Sequence, residues 1–408
     1  MSEPFKIGLL GHGTVGAAFA ALVQERAGNI ERVTGRRPLV SGVLTRSRGD
    51  AAQIIEGADL VVEVMGGLDP ARELVLSALR AGRPVVSANK QLISRHGPQL
   101  WDAAAAGGTQ LRFEAAVAGV VPVIRVLSES LAGAHIERIH GIVNGTTNFI
   151  LTQMAATGAS YGDALAQAQQ LGYAEADPTE DVTGLDAAAK MAILARLAFG
   201  SWVQVDDVVC DGIEDLTSAD MAYAQEFGLG LKLLGTAERI GGALSVRVHP
   251  AFLYAGHPLA SVSGPFNAVT IESPAITEIT LSGPGAGGPQ TASAILGDVV
   301  SVMTGERPMP AAGESLAIEK DVESAFYLHL EVADQPGVLA QVAERLGLQG
   351  VSVKSVIQEG LGDDARLVMV THRILESRFF AAVALIGALD FMRAAPRAIR
   401  VIEEQFTA

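Results

Sequence analysis

Residues 5–28 read FKIGLLGHGTVGAAFAALVQERAG. Phe5–Leu10 is a short apolar run of the kind that forms a buried strand. Gly11-His12-Gly13-Thr14-Val15-Gly16 follows at once, and a helical pattern begins at Ala17. A G-x-G-x-x-G motif between strand and helix is the context a dinucleotide site requires. Gly11 permits the tight turn, Gly13 lets backbone approach a pyrophosphate, and Gly16 lets the helix pack on the strand. Free N–H groups at the helix start, including those of Thr14 and Val15, suit the phosphates. His12 simply occupies the loop.

Outward from this unit the chain alternates. Pro38–Leu44 (PLVSGVL) reads as the second strand, and ADLVVEVMGG (58–67) as a strand ending in the pair Gly66-Gly67. A helix is expected over Pro70–Ala81, a strand over Pro84–Ser87, a helix near Pro98–Ala106 and a strand near Gln110–Ala115. Such alternation predicts a Rossmann-type, doubly wound parallel sheet with ligands at the carboxyl ends of its strands. The second strand runs into Thr45-Arg46-Ser47-Arg48, with no acid before Asp50. An acid there would suit the ribose of NAD; Arg46 and Arg48 suit the 2′-phosphate of NADP, and NAD stays open. Lys90 falls in the loop after a strand end, where an ammonium meets substrate; alone, it would read as a solvated lysine.

At 408 residues, two or three domains are expected, and a composition 49% hydrophobic supplies ample core. A net charge of −15 argues against a nucleic-acid partner. The single cysteine, Cys210, excludes an intrachain disulfide, and the eight histidines lack metal-ligand spacing. No leader pattern and no apolar run of membrane-spanning length is present, so a cytoplasmic location is expected. The nucleotide fold opens at residue 5, so no fused kinase domain is expected ahead of it.

Gly172–Gly200 reads GYAEADPTEDVTGLDAAAKMAILARLAFG. Glu175, Asp177, Glu180 and Asp181 surround Pro178. A helix from about Leu185 to Ala198 then follows, apolar on nearly every side and therefore buried. Asp186 and Lys190 are four residues apart and share a face. Buried charges need partners. An isolated pair of this kind is usually structural; the acids just upstream tip the reading towards a site in which carboxylates hold an amine and an ammonium serves a reacting oxygen.

Taken in order, SANK (87–90), EAAVAG (114–119), HGIVNGTTNFI (140–150), GYAEADP (172–178) and DAAAK (186–190) resemble homoserine dehydrogenase, over the chain from Gly11 to about Ile402. The resemblance implies reversible NAD(P)H-dependent reduction of L-aspartate 4-semialdehyde to L-homoserine, on the route to threonine, methionine and isoleucine. It implies Lys190 and Lys90 as catalytic lysines, Lys190 as proton donor, with Asp186 beside them. Glu175 would bind the substrate amine, and Asp181 would line the same pocket. Asn89, Asn144, Gly145, Thr146 and the Gly-rich loop at Gly285 would border the cofactor. Pro284 stands where many members carry Arg, which puts a phosphate contact from that position in doubt. A sodium or other monovalent cation would lie near Glu114 and the backbones of Val117, Gly119 and Val121. The family also implies a homodimer or homotetramer, with the sheet of an α+β substrate domain as the dimer surface.

Gly305–Gly313 reads as a linker by its Pro and Gly content. Beyond it the order is βαββαβ: strand Ala325–Val332, helix Asp334–Gly347, strands Val351–Gln358 and Ala365–His372, helix Ser377–Leu389, strand Ala398–Ile402. That is a ferredoxin-like arrangement. Asp334–Ala340 (DQPGVLA) resembles the signature of the ACT regulatory domain. The resemblance implies amino-acid binding, with L-threonine as effector; a purely structural or oligomerising module is the alternative. The expected organisation is a nucleotide domain over 1–133 completed by about 284–305, a substrate and dimerisation domain over 134–310, and the ACT domain over 322–408. Two rival readings remain: a catalytically silent NADP- and amino-acid-binding sensor, and a dehydrogenase for another amino-acid carbonyl.

Overall fold

The computed structural model describes residues 3–306, 315–360 and 365–402. Strands β1 (Phe5–Leu10), β2 (Pro38–Leu44), β3 (Leu60–Glu63), β4 (Val85–Ser87) and β5 (Leu111–Arg112) form a wholly parallel sheet in the order β2-β1-β3-β4-β5. The order reverses between β1 and β3, so the ligand crevice falls at their carboxyl ends, beside Gly11 and Gly66. The helix Thr14–Thr34 covers one face, with the helix Gly288–Met303 packed along it. Ile7, Phe19, Leu60 and Val86 share one core with Ala292, Ile295 and Val299. The chain thus returns late in its length to finish the nucleotide-binding layer.

In the nucleotide-binding part, the helix expected near Pro98–Ala106 starts earlier than its sequence reading. It runs Lys90–Ala106 and contains Pro98, rather than starting there. Proline lacks the N–H that a helix interior needs, which is why its position suggests a boundary. Here Asn89 caps the helix well upstream, accepting from Leu92 N–H at 3.1 Å, and Leu92, Ile93 and Leu100 are buried. Capping and burial offset the lost hydrogen bond. Lys90 is therefore the first residue of a helix, held by its cap, and not a loop lysine.

The second sheet contains β6 (Arg138–Ile142), β7 (Val209–Cys210), β8 (Leu229–Ile240), β9 (Ala243–Tyr254), β10 (Phe266–Ser273), β11 (Thr277–Pro284), β12 (Glu323–Val332), β13 (Val353–Glu359), β14 (Ala365–Thr371), β15 (Ile374–Leu375) and β16 (Arg397–Ile402). Its path is β11-β10-β6-β8-β9-β16-β12-β14-β13; β7 pairs with β9 and β15 with β12. The helix Leu185–Phe199 lies against this sheet, buried as its apolar sequence requires. Glycine at 235 lets it approach: a Cβ there would stand 2.5 Å from Met191 Cγ.

The C-terminal part has the β16-β12-β14-β13 order of a βαββαβ unit, with helices Val338–Leu348 and Glu376–Gly387 enclosing a core of their own. The first of these starts after Gly337, later than expected, because Pro336 sits in the preceding turn. The unit is not detached. β16 pairs in parallel with β9, and Glu376 joins Arg247 of β9 to Arg400 of β16 in a buried ion cluster. Of the expected linker, residues 307–313 lie outside the described residues. No described helix is long and apolar enough to cross a membrane.

Candidate active site

The helix Leu185–Phe199 follows Gly184, whose left-handed backbone (φ 85°) turns the chain into it. Asp186 sits in its first turn and is 3% exposed. One turn on, Lys190 Nζ donates to Asp186 Oδ2 at 2.6 Å, and Asp186 Oδ1 pairs with Lys90 Nζ. Lys190 Nζ also donates to the Val143 carbonyl at 2.7 Å. Burial pushes the Asp186 carboxyl up, but the ammonium groups of Lys190 and Lys90 outweigh it and hold the group well below the usual carboxylate range. Burial pulls Lys90 down, and the charge of Asp186 more than offsets it, so Lys90 lies above an ordinary lysine.

Asn144 ties the neighbouring acids to this pair. Its Nδ2 donates to Asp181 Oδ1 at 2.6 Å and to Asp186 Oδ2 at 2.9 Å. Its Oδ1 accepts from Thr147 N–H at 2.8 Å and caps the helix Gly145–Thr157. The Asn144 amide thus bridges two carboxylates and caps a helix. Gly145 packs under a loop, where a Cβ would stand 2.7 Å from the Pro265 carbonyl, and Thr146 Oγ1 donates to the Tyr173 carbonyl at 2.6 Å. Asp181 is raised by burial, an effect reduced by its bond from Asn144. Glu175 lies apart: it is exposed, and its carboxylate makes no hydrogen bond or ion pair with the described residues.

Both lysines line a cleft of about 320 Å³ together with Val15, Gly66, Asn89, Gly119 and Gly285. The Gly-rich turn beside it separates two reasons for glycine. A Cβ on Gly16 would collide with the Gly11 carbonyl, and one on Gly11 would stand 2.7 Å from the Val64 carbonyl; these two are demanded by the fold. A Cβ on Gly13 would meet no protein atom within 4 Å. The fold does not demand that glycine; an approaching pyrophosphate does. The helix start has no side-chain cap and no acid in its first turn, as an anion site needs. Arg46 and Arg48 are exposed after β2, and their side chains pair with no described residue. Asp50, the acid nearest the end of β2, is used to cap Ala51–Glu56, accepting from Gln53 N–H at 3.2 Å. The residues present fit a dinucleotide.

Glu63 escapes a reading of the sequence. It is fully buried at the end of β3, accepting from Ser87 Oγ at 2.7 Å and Met65 N–H at 2.8 Å. Ser87 Oγ in turn accepts from Asn89 N–H at 3.1 Å, and Asn89 Nδ2 donates to the Gly67 carbonyl at 2.6 Å. This network fixes the wall of the cleft between Gly66 and Lys90. A lone acid within the apolar run LVVEV (60–64) is the signal the sequence offers.

Glu114 is buried, and its two oxygens accept from Ile124 and Arg125 N–H, each at 2.9 Å. Burial and the nearby charge of Asp298 push it up to about 7. Val117 and Gly119 are buried, and their carbonyls accept no hydrogen bond from described residues; that of Val121 accepts from Val123 N–H at 2.8 Å. Carbonyls that accept no hydrogen bond from described residues, a few residues after a buried carboxylate, have the oxygen chemistry a hard monovalent cation takes. No cluster of three or more His, Cys, Asp or Glu side chains able to hold a metal occurs among the described residues.

Residues 11–114 match the family model for the homoserine dehydrogenase NAD binding domain, and residues 122–300 match that for homoserine dehydrogenase. The homoserine dehydrogenase of Corynebacterium glutamicum is 44% identical, over 97% of this chain and 95% of its own. That of Synechocystis is 39% identical, over 97% and 99%. Among solved structures, a homoserine dehydrogenase from Thiobacillus denitrificans superposes with a TM-score of 0.91 at 37% identity, covering 98% of this chain and 99% of that one. A hyperthermophilic archaeal homoserine dehydrogenase in complex with NADPH gives a TM-score of 0.64 at 28% identity, covering 75% and 100%. A site built from two lysines on one buried carboxylate, beside a dinucleotide turn, is thus carried by a chain that belongs to the homoserine dehydrogenase family.

Proposed function

We propose that Lys190 donates the proton in the reduction of L-aspartate 4-semialdehyde to L-homoserine, with Asp186 and Lys90 setting its charge and direction. Family membership makes the chain an NAD(P)-dependent oxidoreductase interconverting these two compounds. When bound, the nicotinamide supplies a hydride to the aldehyde carbon. Charge grows on the aldehyde oxygen, and an ammonium placed against it stabilises that charge and releases a proton to it. The observation that carries the reading is the buried Asp186 carboxylate shared by two ammonium groups at the cleft. Lys90, kept protonated, orients the substrate. Glu175, its carboxylate unengaged, would take the substrate amine, with Asp181 beside it. NADPH oxidation in the presence of the semialdehyde tests the reading; a protein that binds NADPH but does not turn over contradicts it.

NADP is the preferred cofactor in this reading, supported by the unpaired Arg46 and Arg48 and by Asp50 being spent on a cap. A sodium or similar cation would be held by Glu114 and the carbonyls of Val117, Gly119 and Val121, in a structural role. Its support is the pair of carbonyls, of Val117 and Gly119, that accept no hydrogen bond from described residues. Replacing sodium by choline, with the melting temperature as readout, tests it.

The chain is read as a nucleotide domain over 1–133 completed by about 284–305, a substrate domain over 134–310 and an ACT domain over 322–408. The strand order of the last part and its DQPGVLA turn support the ACT reading, with L-threonine as effector. Titration calorimetry with L-threonine and assay in its presence test this; no heat and no inhibition reject it. A homodimer or homotetramer built on the second sheet is supported by β11, an edge strand with Ile279 and Leu281 half-buried. Light scattering tests it. The proposed setting is the cytoplasm.

A further inference from the structure

We infer that Asn267, in β10, is a positioning residue for Lys190, acting through the Val143 carbonyl. The inference rests on the reading of Lys190 as proton donor. An ammonium has three N–H groups in fixed tetrahedral directions. Two from Lys190 are taken, by Asp186 Oδ2 at 2.6 Å and by the Val143 carbonyl at 2.7 Å. The third is left for the cleft, which Lys190 lines. Its aim is set by where the two acceptors stand. Asp186 is fixed by Lys90 and Asn144. The Val143 carbonyl accepts one further side-chain donor, Asn267 Nδ2 at 3.3 Å.

The geometry around Asn267 leaves little freedom. The residue is 1% exposed. Turning its amide over would set Oδ1 against the Val143 carbonyl, oxygen facing oxygen. In the orientation present, Oδ1 is buried without a hydrogen-bond partner, an arrangement that costs stability. The same oxygen lies against Gly285, on which any Cβ would overlap the Asn267 amide. Asn267 is therefore packed between the carbonyl that aims Lys190 and the Gly285 loop that lines the cleft. An amide is the short side chain that can give this carbonyl a donor without adding a charge next to the ammonium. The unsatisfied Oδ1 indicates that the donor contact is what the position keeps. The peptide following Val143 leads to Asn144, so one restraint serves both Lys190 and the Asp181–Asp186 bridge.

Three variants test the inference: Asn267→Asp, Asn267→Ser and Lys190→Ala, each with NADPH affinity and melting temperature measured alongside turnover. The carboxyl that Asn267→Asp introduces is buried, which raises its pKa, and shares the Val143 carbonyl with the Lys190 ammonium, which lowers it. When protonated it donates to the Val143 carbonyl as the amide does; when ionised it repels that carbonyl and draws the ammonium away. The expected result for Asn267→Asp is a kcat about tenfold or more lower once that carboxyl is ionised than while it is protonated, read as an added step in the kcat–pH profile. Asn267→Ser is uncharged, smaller and too short to reach the carbonyl. It is expected to lose about tenfold in kcat at every pH while NADPH affinity is retained. A purely structural role would lower the melting temperature and leave the kcat–pH profile of the folded enzyme unchanged. Should Asn267→Asp unfold at high pH, Asn267→Ser decides. If Lys190→Ala is inactive but Asn267→Ser keeps wild-type kcat, positioning is overturned by itself. If Lys190→Ala keeps its turnover, the proton-donor reading fails, and this inference with it.

Discussion

Asp186 and Lys190 stand one helical turn apart, and the carboxylate that accepts the Lys190 ammonium at 2.6 Å holds the Lys90 ammonium on its other oxygen. Removing one partner of a buried ion pair leaves charge uncompensated. Asp186→Asn keeps the shape and leaves two ammonium groups facing each other. The variant is expected to lose about 3 kcal/mol of stability and about 10²-fold or more in kcat. Urea unfolding and steady-state assay check the two losses separately.

Gly13 and Gly16 are expected to fail differently. Gly13→Ala meets no protein atom, so the variant should melt like wild type while its NADPH affinity falls about tenfold or more. Gly16→Ala collides with the Gly11 carbonyl and should be unstable or insoluble. Melting curves with and without NADPH separate the cases. Equal instability of both would mean that Gly13 answers to the fold and not to a ligand.

In the proposed reading, Arg46 and Arg48 carry the cofactor preference. Charge-assisted hydrogen bonds contribute about 1.5–3 kcal/mol each, so the double variant to Ala should raise KM for NADPH about tenfold or more and leave KM for NADH unchanged. A uniform rise for both cofactors would contradict a 2′-phosphate contact.

Three buried histidines give stability a pH dependence. His140 and His257 meet edge to face at 5.8 Å, and His249 lies in strand β9. Burial is the first cause of depression in all three; the charges of Arg138 at His140 and of Arg400 and Arg247 at His249 add to it. His257 is lowered to about 4. The unfolded chain takes up protons near the ordinary histidine value, and the native chain does so only below it. The stabilisation is therefore full above about pH 6.5 and is lost as pH falls towards 4. His257→Asn keeps an acceptor for Leu259 N–H, which His257 Nδ1 now provides at 3.1 Å, and cannot titrate. Its melting temperature should fall less steeply with acid, by on the order of a few °C. An unchanged slope would contradict this origin.

Much of the fold is legible in local patterns. The Gly11–Gly16 turn stands between a strand and a helix, and the helix around Lys190 is apolar all round, so the amino-acid sequence alone reveals both. Lys90 is harder to place, because Pro98 imitates a boundary, whereas the Asn89 cap and the burial of Leu92 and Ile93 decide where that helix starts. Asn144 reads in sequence as a cofactor neighbour; its contacts with Asp181 and Asp186 span 37 and 42 residues and leave no mark in local spacing. Asn267 reaches Val143 across 124 residues, from a strand whose sequence is otherwise ordinary. Glu63 shows the converse: an acid inside an apolar strand announces a buried network, although not its partners. Glu175 is legible as one of the acids around Pro178, and resemblance alone singles it out from the others; it stands exposed, and its carboxylate pairs with no described residue.

The most direct test of the central claim is the turnover of Lys190→Ala with aspartate semialdehyde and NADPH, measured beside its NADPH dissociation constant. The account predicts a fall in kcat of about 10³-fold with cofactor affinity unchanged. Near-normal turnover in that variant would contradict it and move the proton to another group.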